Sequence, residues 1–194
     1  MWCLRERTGF VMQRKIVKKI CMLGDSGVGK TSLIKRFVFD VFDDQYIETI
    51  GTKITKKEVP IKDPSTGEDI NMVLMIWDIL GHKSPKRVPS SYYVGVEGVM
   101  VVCDSTRRET YQELDYWVNT LVVMTQYVPI VFLANKGDLI NERQVGEKEM
   151  EELSAKFNAP YFFVSAKNGM NVDKAFVALA EALAPKEAPA EKWW

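Results

Sequence analysis

Eight consecutive residues near the beginning of the chain have the types and spacing needed to hold a phosphate group. They match the pattern of a phosphate-binding loop, in which two spaced glycines precede a lysine and a hydroxyl residue. These residues are Gly24, Asp25, Ser26, Gly27, Val28, Gly29, Lys30 and Thr31. Glycines let consecutive backbone N–H groups point at one anion, and a helix that begins directly after the loop adds its positive end. The sequence therefore predicts a nucleotide site, and the alternative is a glycine-rich turn that binds nothing.

The residues at the end of this loop have distinct expected roles. We expect the Lys30 ammonium to reach the β- and γ-phosphates of a nucleotide. The Thr31 hydroxyl is expected to ligate Mg²⁺, which prefers oxygen ligands, and Ser32 completes the predicted phosphate-binding set. The apolar run 16–23 precedes the loop, and apolar residues at helical spacing follow it. A strand, the loop and a helix therefore come in the order that such a site requires.

A second polar segment indicates which base is bound. Residues 135–138 read Asn-Lys-Gly-Asp and follow an apolar run that predicts a buried strand, at the end where α/β sheets bind ligands. Guanine presents two adjacent donors, N1–H and its amino group, so the Asp138 carboxylate would select guanine over adenine. Asn135 is expected to hold the loop and the base edge, and the alkyl stem of Lys136 to cover one face of the ring.

A third segment completes the expected base site. Ser165, Ala166 and Lys167 follow the apolar run 161–164, and the backbone N–H of Ala166 is expected to donate to guanine O6. Taken alone, an Asn-Lys-x-Asp tetrapeptide is more often a polar loop after a strand. In this order after a phosphate-binding loop, it becomes a strong indication of guanine binding.

On these motifs the sequence resembles the small GTPases of the Ras superfamily, and most of all their Rab branch. The resemblance covers residues 15–184. It implies an α/β P-loop GTPase fold, with a mostly parallel six-stranded sheet, helices on both faces and one antiparallel strand. It also implies that Phe42 packs on the guanine ring and that Thr49, in the first switch, closes over the γ-phosphate and ligates Mg²⁺. The implied activity is slow hydrolysis of GTP to GDP.

The second switch matches the family in part, but residues 79–83 read Ile-Leu-Gly-His-Lys where family members usually have Thr-Ala-Gly-Gln-Glu. The resemblance implies that Asp78 holds Mg²⁺ through water and that the Gly81 N–H senses the γ-phosphate. His82 stands where family members carry the glutamine that orients the attacking water. We predict catalytic roles for Lys30, Gly81 and His82, with the alternative that His82 is a spectator.

The hydrophobic pattern outside these motifs predicts alternating strands and helices. Runs 53–61 and 70–78 flank a turn with proline and glycine and predict a hairpin. Four short apolar segments predict buried parallel strands, near Ile16, Val99, Ile130 and Tyr161. Apolar residues at helical spacing predict helices over 111–121 and 172–183, the second capped by Asn171.

Composition favours one domain in a reducing compartment. With 26 basic and 26 acidic residues the formal net charge is zero, so the overall balance does not favour binding to nucleic acid. Three cysteines cannot pair fully, and no segment reads as a membrane span or a signal peptide. We expect a cytoplasmic monomer whose domain covers residues 15–184, between flexible segments 1–14 and 185–194.

The two ends leave membrane attachment open. Rab proteins usually carry cysteines for prenylation near the C-terminus, and this chain has none after Cys103. Cys3, or the pair Trp193 and Trp194, could still contact a membrane interface. The expected location is therefore cytoplasmic, with peripheral membrane contact as the alternative.

Together these features predict a guanine-nucleotide switch with protein partners. Residues 39–51 and the segment after Asp78 are expected to rearrange with the γ-phosphate and to face effectors and regulators. Ile54, Trp77 and Tyr92 form a candidate apolar partner surface, or else ordinary packing at the sheet edge. The alternative function is a locked binding module that holds GTP or GDP with little turnover, which only the replacement of the catalytic glutamine favours.

Overall fold

The computed structural model describes residues 14–43, 51–79, 88–125 and 127–185 of the 194-residue chain. Within them six strands form one sheet: β1 (Arg14–Leu23), β2 (Thr52–Lys62), β3 (Asp69–Ile79), β4 (Gly98–Asp104), β5 (Ile130–Asn135) and β6 (Tyr161–Phe163). Five α-helices pack around it: α1 (Lys30–Phe39), α2 (Arg108–Gln112), α3 (Leu114–Met124), α4 (Glu147–Phe157) and α5 (Val172–Ala182). Two short 3₁₀ turns cover Ser90–Tyr92 and Ile140–Glu142.

The order of strands across the sheet is β2-β3-β1-β4-β5-β6. β2 pairs antiparallel with β3, and all other pairs of neighbouring strands are parallel. The turn between β2 and β3 is fixed by the Asp63 carboxylate, which accepts hydrogen bonds from the backbone N–H groups of Ser65 and Thr66. The predicted α/β fold, with one antiparallel strand in a hairpin, is confirmed.

Helices bury both faces of the sheet. Ile20 and Met22 of β1 pack into a core with α1 and α5, whereas Cys21 and Leu23 pack into a second core with α3 and α4. Burial of both sides explains why β1 ends in a continuous apolar run rather than an alternating one. Burial also raises the pKa of the Cys21 and Cys103 thiols to about 12, so neither is a reactive thiolate at neutral pH.

Three details differ from the sequence predictions. Helix α4 was not predicted. Its start is capped by Glu149, the third residue of the helix, whose carboxylate accepts a hydrogen bond from the Gly146 N–H at 3.1 Å. Asn171 directly precedes α5, but its φ is +55° and its side chain donates to the Phe163 carbonyl instead of capping the helix. The helix predicted over 111–121 is instead two helices, with α2 ending at Gln112 and α3 beginning at Leu114.

In the described part of the chain, none of the helices combines the length and the apolar character needed to cross a bilayer.

Candidate nucleotide-binding site

The predicted site segments meet at one edge of the sheet. Residues 24–29 leave β1 and lead into α1, residues 136–138 leave β5, and residues 164–167 leave β6. β1, β5 and β6 run in the same direction through parallel pairings, so the loops after them lie on the same edge. This is the edge at which open α/β sheets bind ligands.

Two glycines allow the phosphate loop to pass close to the sheet. Gly24 has a φ of +135°, and a Cβ built there would overlap the Val102 carbonyl of β4. Gly29 has a φ of +96°, and a Cβ there would overlap the side-chain amide of Asn135. Any other residue would be strained at both positions, by its backbone conformation and by a close contact.

Lys30 places a buried positive charge inside this loop. Its ammonium donates to the carbonyls of Gly24 and Asp25, at 2.7 Å each, and only 6% of the residue is exposed. Burial lowers the pKa of Lys30 to about 8, against the opposing attraction of Asp78 and Asp25. The partners of the ammonium in the loop are neutral carbonyls, so an anionic phosphate would be a better partner for it.

Thr31 and Asp78 come together as a candidate magnesium site. Asp78 is the second-to-last residue of β3, and its Oδ2 accepts a hydrogen bond from the Thr31 hydroxyl at 2.6 Å. Asp78 is 2% exposed, and its Oδ1 is buried with no hydrogen-bond partner in the described part of the chain. Burial raises the pKa of Asp78, although Thr31 and Lys30 oppose that shift. A buried carboxylate oxygen without a partner, next to a hydroxyl, fits a hard cation.

Asn135 joins the phosphate-binding loop to the two base loops, which are residues 136–138 after β5 and residues 164–167 after β6. Its side-chain amide donates to the Val28 carbonyl at 2.8 Å, and its Oδ1 accepts a hydrogen bond from the Ala166 N–H at 3.2 Å. Asn135 therefore contacts the phosphate-binding loop. The Ala166 N–H, expected to donate to guanine O6, is in this structure directed at Asn135.

Asp138, the predicted acceptor for the base, is hydrogen-bonded to Ser165. The Ser165 hydroxyl donates to Asp138 Oδ1 at 2.6 Å, and the same hydroxyl oxygen accepts the Asn168 N–H at 3.2 Å. The Gly137 N–H donates to the Val164 carbonyl at 2.8 Å, which ties the loop after β5 to the loop after β6. The predicted guanine acceptor is thus held in place by contacts from two loops.

Other site residues have mixed placements. Ser32 lies in the first turn of α1, and Phe42 is half-buried against the core that includes α1 and α5. Lys136 contacts Asp104 with its ammonium at 2.5 Å. Thr49, Gly81 and His82 lie outside the described residues.

Three residues that support the site were not predicted from sequence. Arg36 of α1 donates to the carbonyls of Ala166 and Lys167, Asp104 pairs with Lys136, and the Trp117 indole donates to Asp25 Oδ1 at 3.3 Å. Each contact joins residues far apart in the chain, so no short motif could have revealed it. The Arg36 contacts join residues about 130 positions apart.

The apolar residues proposed as a partner surface lie near one another. Ile54 of β2 is 47% exposed and pairs in register with Trp77 of β3. The rings of Trp77 and Tyr92 are tilted, with centroids 6.5 Å apart, and the Lys19 ammonium lies 3.8 Å from the centre of the Trp77 ring. The three residues therefore form a partly exposed apolar surface beside the end of β3.

Comparison with known proteins identifies relatives over nearly the whole chain. A family model described as the Ras family matches residues 19–184. Two proteins of Paramecium octaurelia, Ras-related protein Rab-7a and Ras-related protein Rab-7b, are each 35% identical over 185 residues. Each alignment covers 92% of this chain and 87% of the relative. The matched residues include all the predicted site segments.

Proposed function

This chain belongs to the Ras family of small GTPases and is Rab-like, and we propose that it is a Mg²⁺-dependent switch that binds GTP and GDP and hydrolyses GTP slowly. One observation carries this proposal. Asp78 has a buried oxygen without a partner in the described residues, and it lies beside the Thr31 hydroxyl and near the buried charge of Lys30. That arrangement suits a cation and a phosphate bound together.

Thr31, Thr49 and Asp78 are the residues that would hold Mg²⁺. When bound, the ion would neutralise charge on the β- and γ-phosphate oxygens. Lys30 would leave the carbonyls of Gly24 and Asp25 and donate to those oxygens, because its charge is better matched by an anion than by neutral groups. The backbone N–H groups of the phosphate loop would complete the cradle.

Guanine selection is proposed to rest on Asp138. The Ser165 hydroxyl occupies one side of Asp138 Oδ1 and leaves the remaining lone pairs of the carboxylate to accept from guanine N1–H and the amino group. Lys136 would cover one ring face with its alkyl stem and Phe42 would pack on the ring. Ala166 and Lys167 would line the base edge.

Identification of the bound nucleotide tests this proposal directly. Purified protein is denatured and the released nucleotide is separated by ion exchange, then the same measurement is repeated over time after loading with GTP. We expect guanine nucleotide at close to one per chain and slow conversion of GTP to GDP, at or below the intrinsic Ras rate of about 3–5 × 10⁻⁴ s⁻¹. Release of adenine nucleotide, or of none, would contradict it.

His82 is proposed to set the hydrolysis rate by orienting the attacking water, with Gly81 sensing the γ-phosphate. Because a water-orienting side chain does not hold the bound nucleotide, His82→Ala should lower single-turnover hydrolysis and leave GTP affinity unchanged. His82→Gln restores the family residue and serves as the matched variant. If His82→Ala hydrolyses GTP as fast as the unaltered protein, the histidine has no part in intrinsic turnover.

Switching distinguishes this function from the locked binding module. If Thr49 ligates Mg²⁺ only with the γ-phosphate present, residues 39–51 should be more protected from hydrogen exchange with a non-hydrolysable GTP analogue than with GDP. Equal protection in both states would favour the locked module, which the replacement of the glutamine by His82 supports.

The proposed partners are protein effectors and regulators that contact the switches. Ile54, Trp77 and Tyr92 offer them a partly exposed apolar surface. We propose a monomer in the cytoplasm with residues 15–184 as the GTPase domain, and peripheral membrane contact through residues near the ends as the alternative.

A further inference from the structure

Arg107 follows β4 and lies between the phosphate-binding loop and the base loop after β5. It contacts Ser26 in the first and, through Asp104, Lys136 in the second. We propose that Arg107 is a positioning residue that ties the phosphate loop to the base loop through Asp104 and thereby slows the release of GDP. The inference deepens the proposed function and rests on it, because it concerns the same guanine-nucleotide site. Arg107 matches no part of the motifs from which the site was predicted.

Asp104 is the centre of the connection. Its side chain, at the end of β4, is completely buried. Oδ1 accepts hydrogen bonds from the Thr106 N–H at 3.0 Å and the Thr106 hydroxyl at 2.7 Å. Oδ2 accepts from two cations, Arg107 Nε at 2.9 Å and Lys136 Nζ at 2.5 Å. Both oxygens are therefore engaged, and two basic side chains share one carboxylate oxygen.

Arg107 extends this arrangement to the phosphate loop. While its Nε contacts Asp104, its Nη2 donates to the Ser26 carbonyl at 3.2 Å. Contacts thus run from Ser26 in the phosphate loop, through Arg107 and Asp104, to Lys136 in the base loop. The planar guanidinium can hold two acceptors at once because its donors have a fixed geometry.

The charge of this cluster also suits a phosphate ligand. One carboxylate neutralises only one of the two cations, Arg107 and Lys136, so the cluster has a net positive charge beside the phosphate loop. Burial alone would raise the pKa of Asp104, but hydrogen bonds from Lys136, Thr106 and Arg107 outweigh it and keep the pKa below the usual aspartate value. Asp104 therefore remains ionised at neutral pH and keeps both cations in place.

The neighbouring arginine is a matched control. Arg108 has the same side chain and is next in sequence, but it donates to the Gln144 carbonyl at 3.1 Å and pairs with Glu149 of α4 at 3.0 Å. None of these partners belongs to the phosphate or base loops. Removing its charge changes the net charge of the protein by the same amount as removing that of Arg107.

Release of fluorescent GDP from the Mg²⁺-loaded full-length protein tests the proposal. Arg107→Gln should raise the GDP dissociation rate by about tenfold, because hydrogen bonds from a partly exposed charged group are lost at both ends of the connection. Arg107→Lys keeps the charge but cannot hold both acceptors in the same geometry, so its rate should remain several-fold above that of the unaltered protein. Arg108→Gln should release GDP at the unaltered rate.

Competition with GMP separates positioning from general destabilisation. GMP lacks the β-phosphate that the phosphate loop surrounds, so Arg107→Gln should weaken GDP binding more than GMP binding. A variant that is simply less well folded would weaken both nucleotides equally, and that result would overturn the proposal. Equal GDP release from Arg107→Gln and Arg108→Gln, or full rescue by Arg107→Lys, would also overturn it. If the unaltered protein binds no GDP, the proposed function itself fails.

Discussion

The base end and the phosphate end of the candidate site differ in how their polar groups are satisfied. At the base end, Asn135 bonds to Val28 and Ala166, and Asp138 accepts from Ser165. These groups hydrogen-bond to neighbouring protein groups. At the phosphate end, the buried Lys30 ammonium donates to two neutral carbonyls, and Asp78 Oδ1 has no partner among the described residues.

This difference indicates which step each end controls. Groups that are already paired form a rigid template, so the base end can discriminate between ligands without rearranging. Buried groups that lack a matching partner destabilise the free protein and gain most when a charged ligand arrives. The phosphate end should therefore couple ligand binding to stability, and the base end should determine which ligand binds.

The largest expected effect comes from Lys30. In Lys30→Met the affinity for GDP should fall at least about a hundredfold, because charge-assisted hydrogen bonds to phosphate are lost. The nucleotide-free protein should be no less stable than the unaltered one, since the variant removes a charge that burial disfavours. Equilibrium binding measures the GDP affinity, and thermal unfolding in EDTA measures the stability of the nucleotide-free protein.

Lys62 is a matched control for the role of Lys30 at the phosphate end. Lys62 of β2 is exposed and pairs with exposed Asp69, so Lys62→Met should change neither GDP affinity nor stability. A large fall in the thermal midpoint of nucleotide-free Lys30→Met would show that Lys30 supports the fold, and the contrast between the two ends would fail.

Asn135→Ala, unlike Lys30→Met, should destabilise the nucleotide-free protein. It leaves the Val28 carbonyl and the Ala166 N–H, both in buried residues, without their partner, so the nucleotide-free protein should lose about 2–4 kcal/mol of unfolding free energy. Urea denaturation measures the loss. Asn71→Ala, which removes a hydrogen bond to exposed Glu58, should cost much less. Comparable losses in the two variants would contradict a self-supporting base end.

Asp138→Asn should alter selectivity and leave the fold intact. The amide oxygen can still accept from the Ser165 hydroxyl, but an NH₂ group then faces the guanine donors. GDP affinity should fall at least about tenfold, and xanthosine diphosphate should be rejected less than by the unaltered protein. Competition binding measures both affinities. Asp173→Asn, at an exposed position of α5, is the control. Unchanged GDP affinity would remove Asp138 from the base site.

The sequence was sufficient to predict which local segments come together at one edge of the sheet. The phosphate loop, the Asn-Lys-Gly-Asp segment and Ser165 to Lys167 each follow an apolar run, and parallel strands bring the ends of such runs to one edge. The hairpin was predictable for a similar reason, because its turn residues lie between two strand patterns.

Contacts between distant residues could not be predicted from the same patterns. Arg36, Asp104 and Arg107 are polar residues in a helix, at a strand end and in a loop, and only the tertiary fold brings them to the site. Asn171 shows a local failure as well. The residue type favours a helix cap, but a positive φ and a hydrogen bond to Phe163 direct the side chain elsewhere.

Arg36 provides the smallest and most selective test of the base end. Its Nε and Nη2 donate to the carbonyls of Ala166 and Lys167, at 2.8 and 2.6 Å, and its Nη1 pairs with Asp40, a side chain that is 90% exposed. The carbonyl contacts hold the loop that is predicted to line the base, whereas the exposed ion pair should contribute little. Arg36→Gln should therefore weaken GDP binding by about fivefold, equivalent to about 1 kcal/mol.

Asp40→Asn is the matched variant, because it removes the ion pair and leaves both carbonyl contacts of Arg36 in place. It should bind GDP as the unaltered protein does in the same titration. If Asp40→Asn weakens binding as much as Arg36→Gln, then Arg36 acts through the beginning of the first switch and not through the base loop. The base end would in that case depend on a neighbouring segment, and its description as a template that supports itself would no longer hold.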